Sequence, residues 1–153
     1  MNTKSSARDA GIPRPAQTIA EPPGQIQVTH VADQAYAVFV RGHELTVDQP
    51  VEAGGDDDGP TPVELFVVSL ATCVAYYAGR FLQRHQLPYD QLQVRTEYDM
   101  ADDRPARVAA VRLRILLPVR LSHARQEALR AVVDHCTVHN TLRMPPEITV
   151  EVD

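Results

Sequence analysis

Two side chains in this chain are suited to thiol redox chemistry, Cys73 and Cys136. A thiolate attacks a peroxide oxygen, becomes a sulfenic acid, and condenses with a second thiol to a disulfide. Each cysteine also has a plainer reading. Cys73 lies in a deeply apolar stretch, where cysteine commonly serves as a small core residue. Cys136 sits among polar groups, in Asp134-His135-Cys136-Thr137-Val138-His139-Asn140, a setting less typical of a core. Cys136 and His139 have a ligand-like spacing, with His135 and Cys73 as further zinc donors. A zinc site would be marked by paired Cys-x-x-Cys or His-x-x-x-His units, and neither occurs. No Gly-x-Ser-x-Gly elbow supports a serine hydrolase, and Gly54-Gly55 is not a phosphate loop. Asp56-Asp57-Asp58 lacks the alternating ligand spacing of a calcium loop and reads as a solvated turn. No metal and no cofactor are expected.

The elements that must position the two sulfurs follow from periodicity. Ile26 and Val28 alternate with Gln27 and Thr29, and Tyr36–Val40 forms a second run after Ala32-Asp33-Gln34. Leu45 and Val47 make a short third strand. Residues 50–62 are punctuated by glycine and proline. Thr61-Pro62-Val63-Glu64 is a helix start, with a capping hydroxyl, proline at the first helical position and an acid three residues after the cap. From there to about His85 runs a long helix that is apolar nearly all round. Such a helix must be buried on most sides, by sheet or by sheet and a second subunit. Leu92–Met100 and Val108–Leu117 alternate with period two and form a hairpin. Ser122 caps a second helix with Ala124, Ala128, Leu129, Val132 and Val133 as its apolar stripe, ending near Cys136. Ile148, Val150 and Val152 suggest a last strand. The order β-β-β-α-β-β-α-β argues an α+β fold.

A chain of 153 residues suits one domain. Residues 1–24 are polar and proline-rich and read as a flexible leader, with the domain at 25–153. The formal net charge of -5 disfavours a nucleic-acid or polybasic membrane role. No uninterrupted apolar run approaches a bilayer span and no secretory signal is visible, so the expected location is cytoplasmic. A cytoplasmic chain of this size does not need a structural disulfide to fold.

The residues from Gly54 to Leu65, followed by Ser69-Leu70-Ala71-Thr72-Cys73, resemble the start of the central helix in the OsmC/Ohr family. There a glycine-rich loop, a proline and a Glu-Leu pair precede a cysteine by about nine residues. Cys136-Thr137-Val138-His139-Asn140-Thr141-Leu142 resembles that family's second cysteine motif. The resemblance spans roughly residues 25–153. It implies an intertwined homodimer with active sites at the subunit interface. It also implies peroxidase chemistry on organic hydroperoxides, with Cys73 attacking, Cys136 resolving and an external dithiol restoring both.

Hydroperoxide-resistance members of the family set an arginine from an early strand and a glutamate directly after the helix proline beside the thiolate. Here Val63 holds that place, and Glu64 is turned from it by about 100°. Arg41 is the only arginine in the early strands, although the family spacing points nearer Ala35 or Tyr36. Arg80, seven residues after Cys73, is a second cation on nearly the same helix side. Tyr76 and Tyr77 are candidate pocket residues, or core. Two alternatives remain beside the peroxidase: a non-peroxidatic, ligand-binding homodimer of the same family, and an interaction module with inert buried thiols.

Overall fold

The computed structural model describes residues 24–153. The expected leader lies outside the described residues except for Gly24. The chain divides into two compact units, one ending at Pro62 and the other spanning Val63–Asp153.

The first unit is an antiparallel meander of β1 (Ile26–Ala32), β2 (Ala35–Val40) and β3 (His43–Val47), in that spatial order. Val38 lies opposite Val28 on one side and Leu45 on the other, as the period-two pattern requires. Both connections are tight, with Asp33 (φ 45°) and Arg41 (φ 56°) in the left-handed region. Ala37 and Val47 are buried, whereas Ile26 and Val28 on the edge strand are exposed.

After β3 the chain turns around one carboxylate. Asp48 is only 1% exposed. Its oxygens accept hydrogen bonds from the backbone N–H groups of Gln49 (2.7 Å), Asp56 (3.0 Å) and Asp58 (3.2 Å). Its own N–H donates to the Pro60 carbonyl at 3.3 Å. The loop closes so tightly that a Cβ at Gly55 would collide with the Gln49 carbonyl, and one at Gly59 with that of Thr46. Asp56, Asp57 and Asp58 point their side chains to solvent, as expected of a solvated turn, while the N–H groups of Asp56 and Asp58 serve Asp48. The N–H of Asp58 holds the Asp48 carboxyl below its ordinary value; burial opposes this, and the N–H groups of Gln49, Asp56 and Asp57 add to it.

The second unit is built on α1 (Pro62–Arg84), which begins at the proline and runs to the expected end. By length and composition alone this helix is long and apolar enough to cross a bilayer, a test that the core helix of a protein also passes. The breaks in its apolar run are small hydroxyl residues that conceal their polarity. Ser69 donates to the Phe66 carbonyl at 2.7 Å and Thr72 to that of Val68 at 2.8 Å. Here the helix supplies a protein core: Leu70, Val74, Ala78, Phe81 and Leu82 are buried with Leu121, Leu129, Val133 and Cys136. A fully buried leucine such as Leu82 contributes roughly 1.5–3 kcal/mol relative to an exposed one.

The hairpin of β4 (Gln93–Met100) and β5 (Val108–Leu116) covers part of this core with Val94, Val111, Leu113 and Ile115. Its outer face carries Arg112, paired with Asp99 at 2.6 Å and with Glu97 at 3.7 Å. The helix α2 (His123–Asp134) starts where Ser122 Oγ accepts the Arg125 N–H, and it adds Leu129 and Val133 to the core.

The second helix ends near Cys136 as expected, and Cys136 caps a further short helix that the periodicity did not indicate, α3 (Thr137–Arg143). One expectation at the C-terminus is corrected. The final strand is not formed. Residues 145–153 have no secondary structure, and Ile148, Val150 and Val152 are 80%, 81% and 94% exposed. Their alternation is that of a half-buried strand, but among the described residues no strand pairs with them.

The buried carboxylate yields a prediction. Asp48→Asn keeps the size of the side chain but loses the negative charge that the three N–H groups face. Because the folded carboxyl titrates below 3.8, its stabilisation is present at neutral pH and is lost as pH falls through the folded value. The variant should melt below wild type at pH 7, and the difference should shrink as pH drops under about 4. A melting difference that stays constant from pH 7 to pH 3, followed by circular dichroism, would contradict this role.

Candidate functional site

Cys73 is carried on α1 and is half-buried; Cys136 is completely buried. Both are free thiols. The core brings them together because Val74 and Ala78 on α1 pack in one cluster with Val133 and Cys136, at the end of α2 and the start of α3. The Val138 N–H, in the first turn of α3, donates to Cys73 Sγ at 3.5 Å. Tyr77, one turn beyond Cys73, places its hydroxyl 3.1 Å from Thr137 Oγ1. This bond ties α1 to the first residue of α3 and so holds Val138 against the Cys73 sulfur.

The two thiols are electrostatically unequal. Burial pushes the Cys136 thiol above its ordinary value, and the Cys73 sulfur adds to the rise through a hydrogen bond and its charge. The N–H groups of His139 and Val138 oppose it. Cys136 therefore keeps its proton, and Cys73 is the more accessible sulfur of the two. A pair of this kind can expose one sulfur to an oxidant while holding the second in reserve as a protonated thiol.

The other expected site residues are distributed as follows. Tyr76 and Tyr77 both line a groove of about 650 Å³ between α1 and α2, with Phe81 and Val132 as further apolar walls. Tyr77 combines this with its bond to Thr137. Arg80 donates to the Tyr76 hydroxyl at 2.9 Å, and its guanidinium carbon lies 5.8 Å from that ring's centroid. Glu64 is exposed in the first turn of α1, and nine residues of helix separate it from Cys73, about 13 Å along the axis. Arg41 is exposed in the β2–β3 turn of the first unit. Sequence reasoning missed Thr137 and Val138, whose part depends on a helix beginning at Cys136. The Cys-Thr pair ahead of Val-His-Asn-Thr-Leu was the available signal, since a polar residue before a helical run marks a start. Among the described residues no group of three or more histidine, cysteine or acidic side chains could hold a metal ion.

The family profile described as OsmC-like protein matches residues 55–151, more than half of the chain and both cysteines. The chain belongs to the OsmC-like protein family. Solved structures agree. A proposed osmotic stress induced and detoxification response protein from Psychrobacter arcticus shares 23% identity, covering 76% of this chain and 85% of its own, with a TM-score of 0.70. An OsmC-like protein from Mycoplasma pneumoniae is 17% identical over 78% of this chain and 86% of its own, with a TM-score of 0.65. An organic hydroperoxide resistance protein OsmC from Legionella pneumophila is 18% identical over 78% and 88%, with a TM-score of 0.57. At these identities the likeness is one of fold. No curated protein matches the chain. For this OsmC-like chain, then, membership and α+β architecture are established, with some structural neighbours named for hydroperoxide resistance.

The inequality of the thiols predicts selective labelling. Brief treatment of the reduced, folded protein with iodoacetamide should modify Cys73 and spare Cys136, read by peptide mass spectrometry. Tyr77→Phe should increase Cys136 labelling by loosening α3, with a modest loss of stability of about 1 kcal/mol. Equal labelling of both cysteines in the folded wild type would contradict the described arrangement.

Proposed function

We propose that this chain is a thiol-dependent peroxidase that reduces organic hydroperoxides, and smaller peroxides such as hydrogen peroxide, at Cys73. The observation that carries the reading is the sulfur pair: an accessible Cys73 that receives a backbone N–H, beside a buried, protonated Cys136. The Cys73 thiolate attacks the outer peroxide oxygen and the O–O bond breaks. The alkoxide leaves, takes a proton and becomes the alcohol, while Cys73 becomes the sulfenic acid. The Cys136 thiol then attacks that sulfur, and its proton departs with the hydroxyl as water. The resulting disulfide is reduced by an external dithiol, which is itself oxidised to a disulfide. Nothing in this cycle requires a metal or an organic cofactor.

The proposal includes a cytoplasmic homodimer. Its support is the apolar surface that one chain leaves uncovered: Ile26 and Val28 on β1, Phe66 and Val68 on α1, and the alternating Ile148, Val150 and Val152. In the cycle Tyr76 and Tyr77 line the approach to Cys73, and the charges of Arg41 and Glu64 assist activation from their places in the assembled dimer.

A second reading, a non-peroxidatic ligand-binding homodimer, is favoured by one observation. The donor to Cys73 is a neutral N–H, and the arginine nearest to it along α1, Arg80, is engaged with Tyr76. Stopped-flow reduction of an alkyl hydroperoxide by a dithiol separates the two. Wild type should turn over, Cys73→Ser should lose activity by at least about a thousandfold, and Cys136→Ser should convert to the sulfinic acid under excess peroxide. Arg41→Gln and Glu64→Gln should slow the first step. Turnover in Cys73→Ser equal to wild type would sink the peroxidase reading.

A further inference from the structure

The groove between α1 and α2 has a charge pattern that the thiol chemistry does not use. Its walls are apolar: Tyr76, Tyr77, Phe81 and Val132. Its remaining polar lining is basic, with Arg80, Arg84, His85 and His135 and no acidic residue. That is unexpected on a chain with 20 acidic and 15 basic residues. Among the described residues Arg84 makes no ion pair, while the nearby Asp134 faces His139 at 4.0 Å rather than neutralising the groove. The bond and the stacking contact with Tyr76 keep the Arg80 guanidinium beside the groove wall. The volume of about 650 Å³ falls within the usual range for small-molecule sites.

We propose that this groove binds an organic carboxylate with an extended apolar body. Its carboxylate is held by Arg84 and His135, with Arg80 at the side, and its chain lies along Tyr76, Tyr77, Phe81 and Val132. Arginine suits this role because its planar donors match a carboxylate in two parallel hydrogen bonds. The apolar body supplies the affinity, and the cations select against neutral and cationic molecules of the same length. The site shares the walls Tyr76 and Tyr77 with the proposed approach to Cys73, but no cysteine lines it, so binding there does not require the thiol chemistry.

The probe is decanoate, below its micellar concentration, titrated calorimetrically into the reduced full chain and into Cys73→Ser. Both proteins should bind it, at least about tenfold more tightly than decanol or decyltrimethylammonium. Affinity should rise roughly threefold to fourfold per methylene from hexanoate to decanoate. Arg84→Glu should weaken decanoate about tenfold or more and leave decanol unchanged. Arg84 is exposed, and the melting temperature of the variant checks its fold. Salt provides a second measurement on the unmodified protein: raising it to about 0.5 M should weaken decanoate but not decanol. Equal affinity for the three head groups, insensitivity to both Arg84→Glu and salt, or no binding of decanoate at millimolar concentration would overturn the proposal. Binding to Cys73→Ser without peroxide turnover in wild type would uphold the carboxylate site and remove only the peroxidase reading.

Discussion

The second unit depends on covering one helix. The helix α1 is apolar around most of its circumference, and water on any of those faces costs free energy in proportion to area. One sector is met by the β4–β5 hairpin and by Leu129 and Val133 of α2, and that packing creates the cluster in which Cys136 is fully buried. On another sector Phe66 and Val68 remain exposed. The same covering requirement thus accounts for the sulfur pair on one side and for an uncovered surface on the other.

Holding Cys136 in the core has a chemical consequence. A thiol without water around it resists ionisation, so the buried member of the pair keeps its proton. Cys73, half-buried on the rim of the same cluster, remains reachable and has an N–H donor at its sulfur. The difference between the two sulfurs thus arises from their depth and from the first turn of α3. The Tyr77–Thr137 bond matters because it joins the helix of one sulfur to the helix capped by the other.

In the first unit a different constraint operates. There the loop between β3 and α1 has little apolar content, and its order comes from backbone donors gathered on the Asp48 carboxylate. An ionised group so deeply buried is stable only with such donors, and Gly55 and Gly59 allow the chain to approach closely enough to supply them. The apparent acidic motif at 56–58 is therefore a set of solvated side chains on a backbone that serves a single buried acid.

Much of this was legible in the sequence. Period-two runs located five strands, and the Thr-Pro-Val-Glu start and the apolar run located α1, because these signals depend only on neighbours in the chain. The cysteine motifs indicated the family for the same reason. What tertiary structure decided were the features that depend on partners far along the chain. Asp48 carries no local signal of its role, because two of its three N–H donors, those of Asp56 and Asp58, come from eight and ten residues further along the chain. Ile148, Val150 and Val152 have the pattern of a strand, but a strand exists only when another edge supplies its hydrogen bonds, and none of the described residues does so there. Cys73 and Cys136 were identifiable by residue type alone; their inequality was not, because burial and the N–H of Val138 exist only once α1, α2 and α3 are packed.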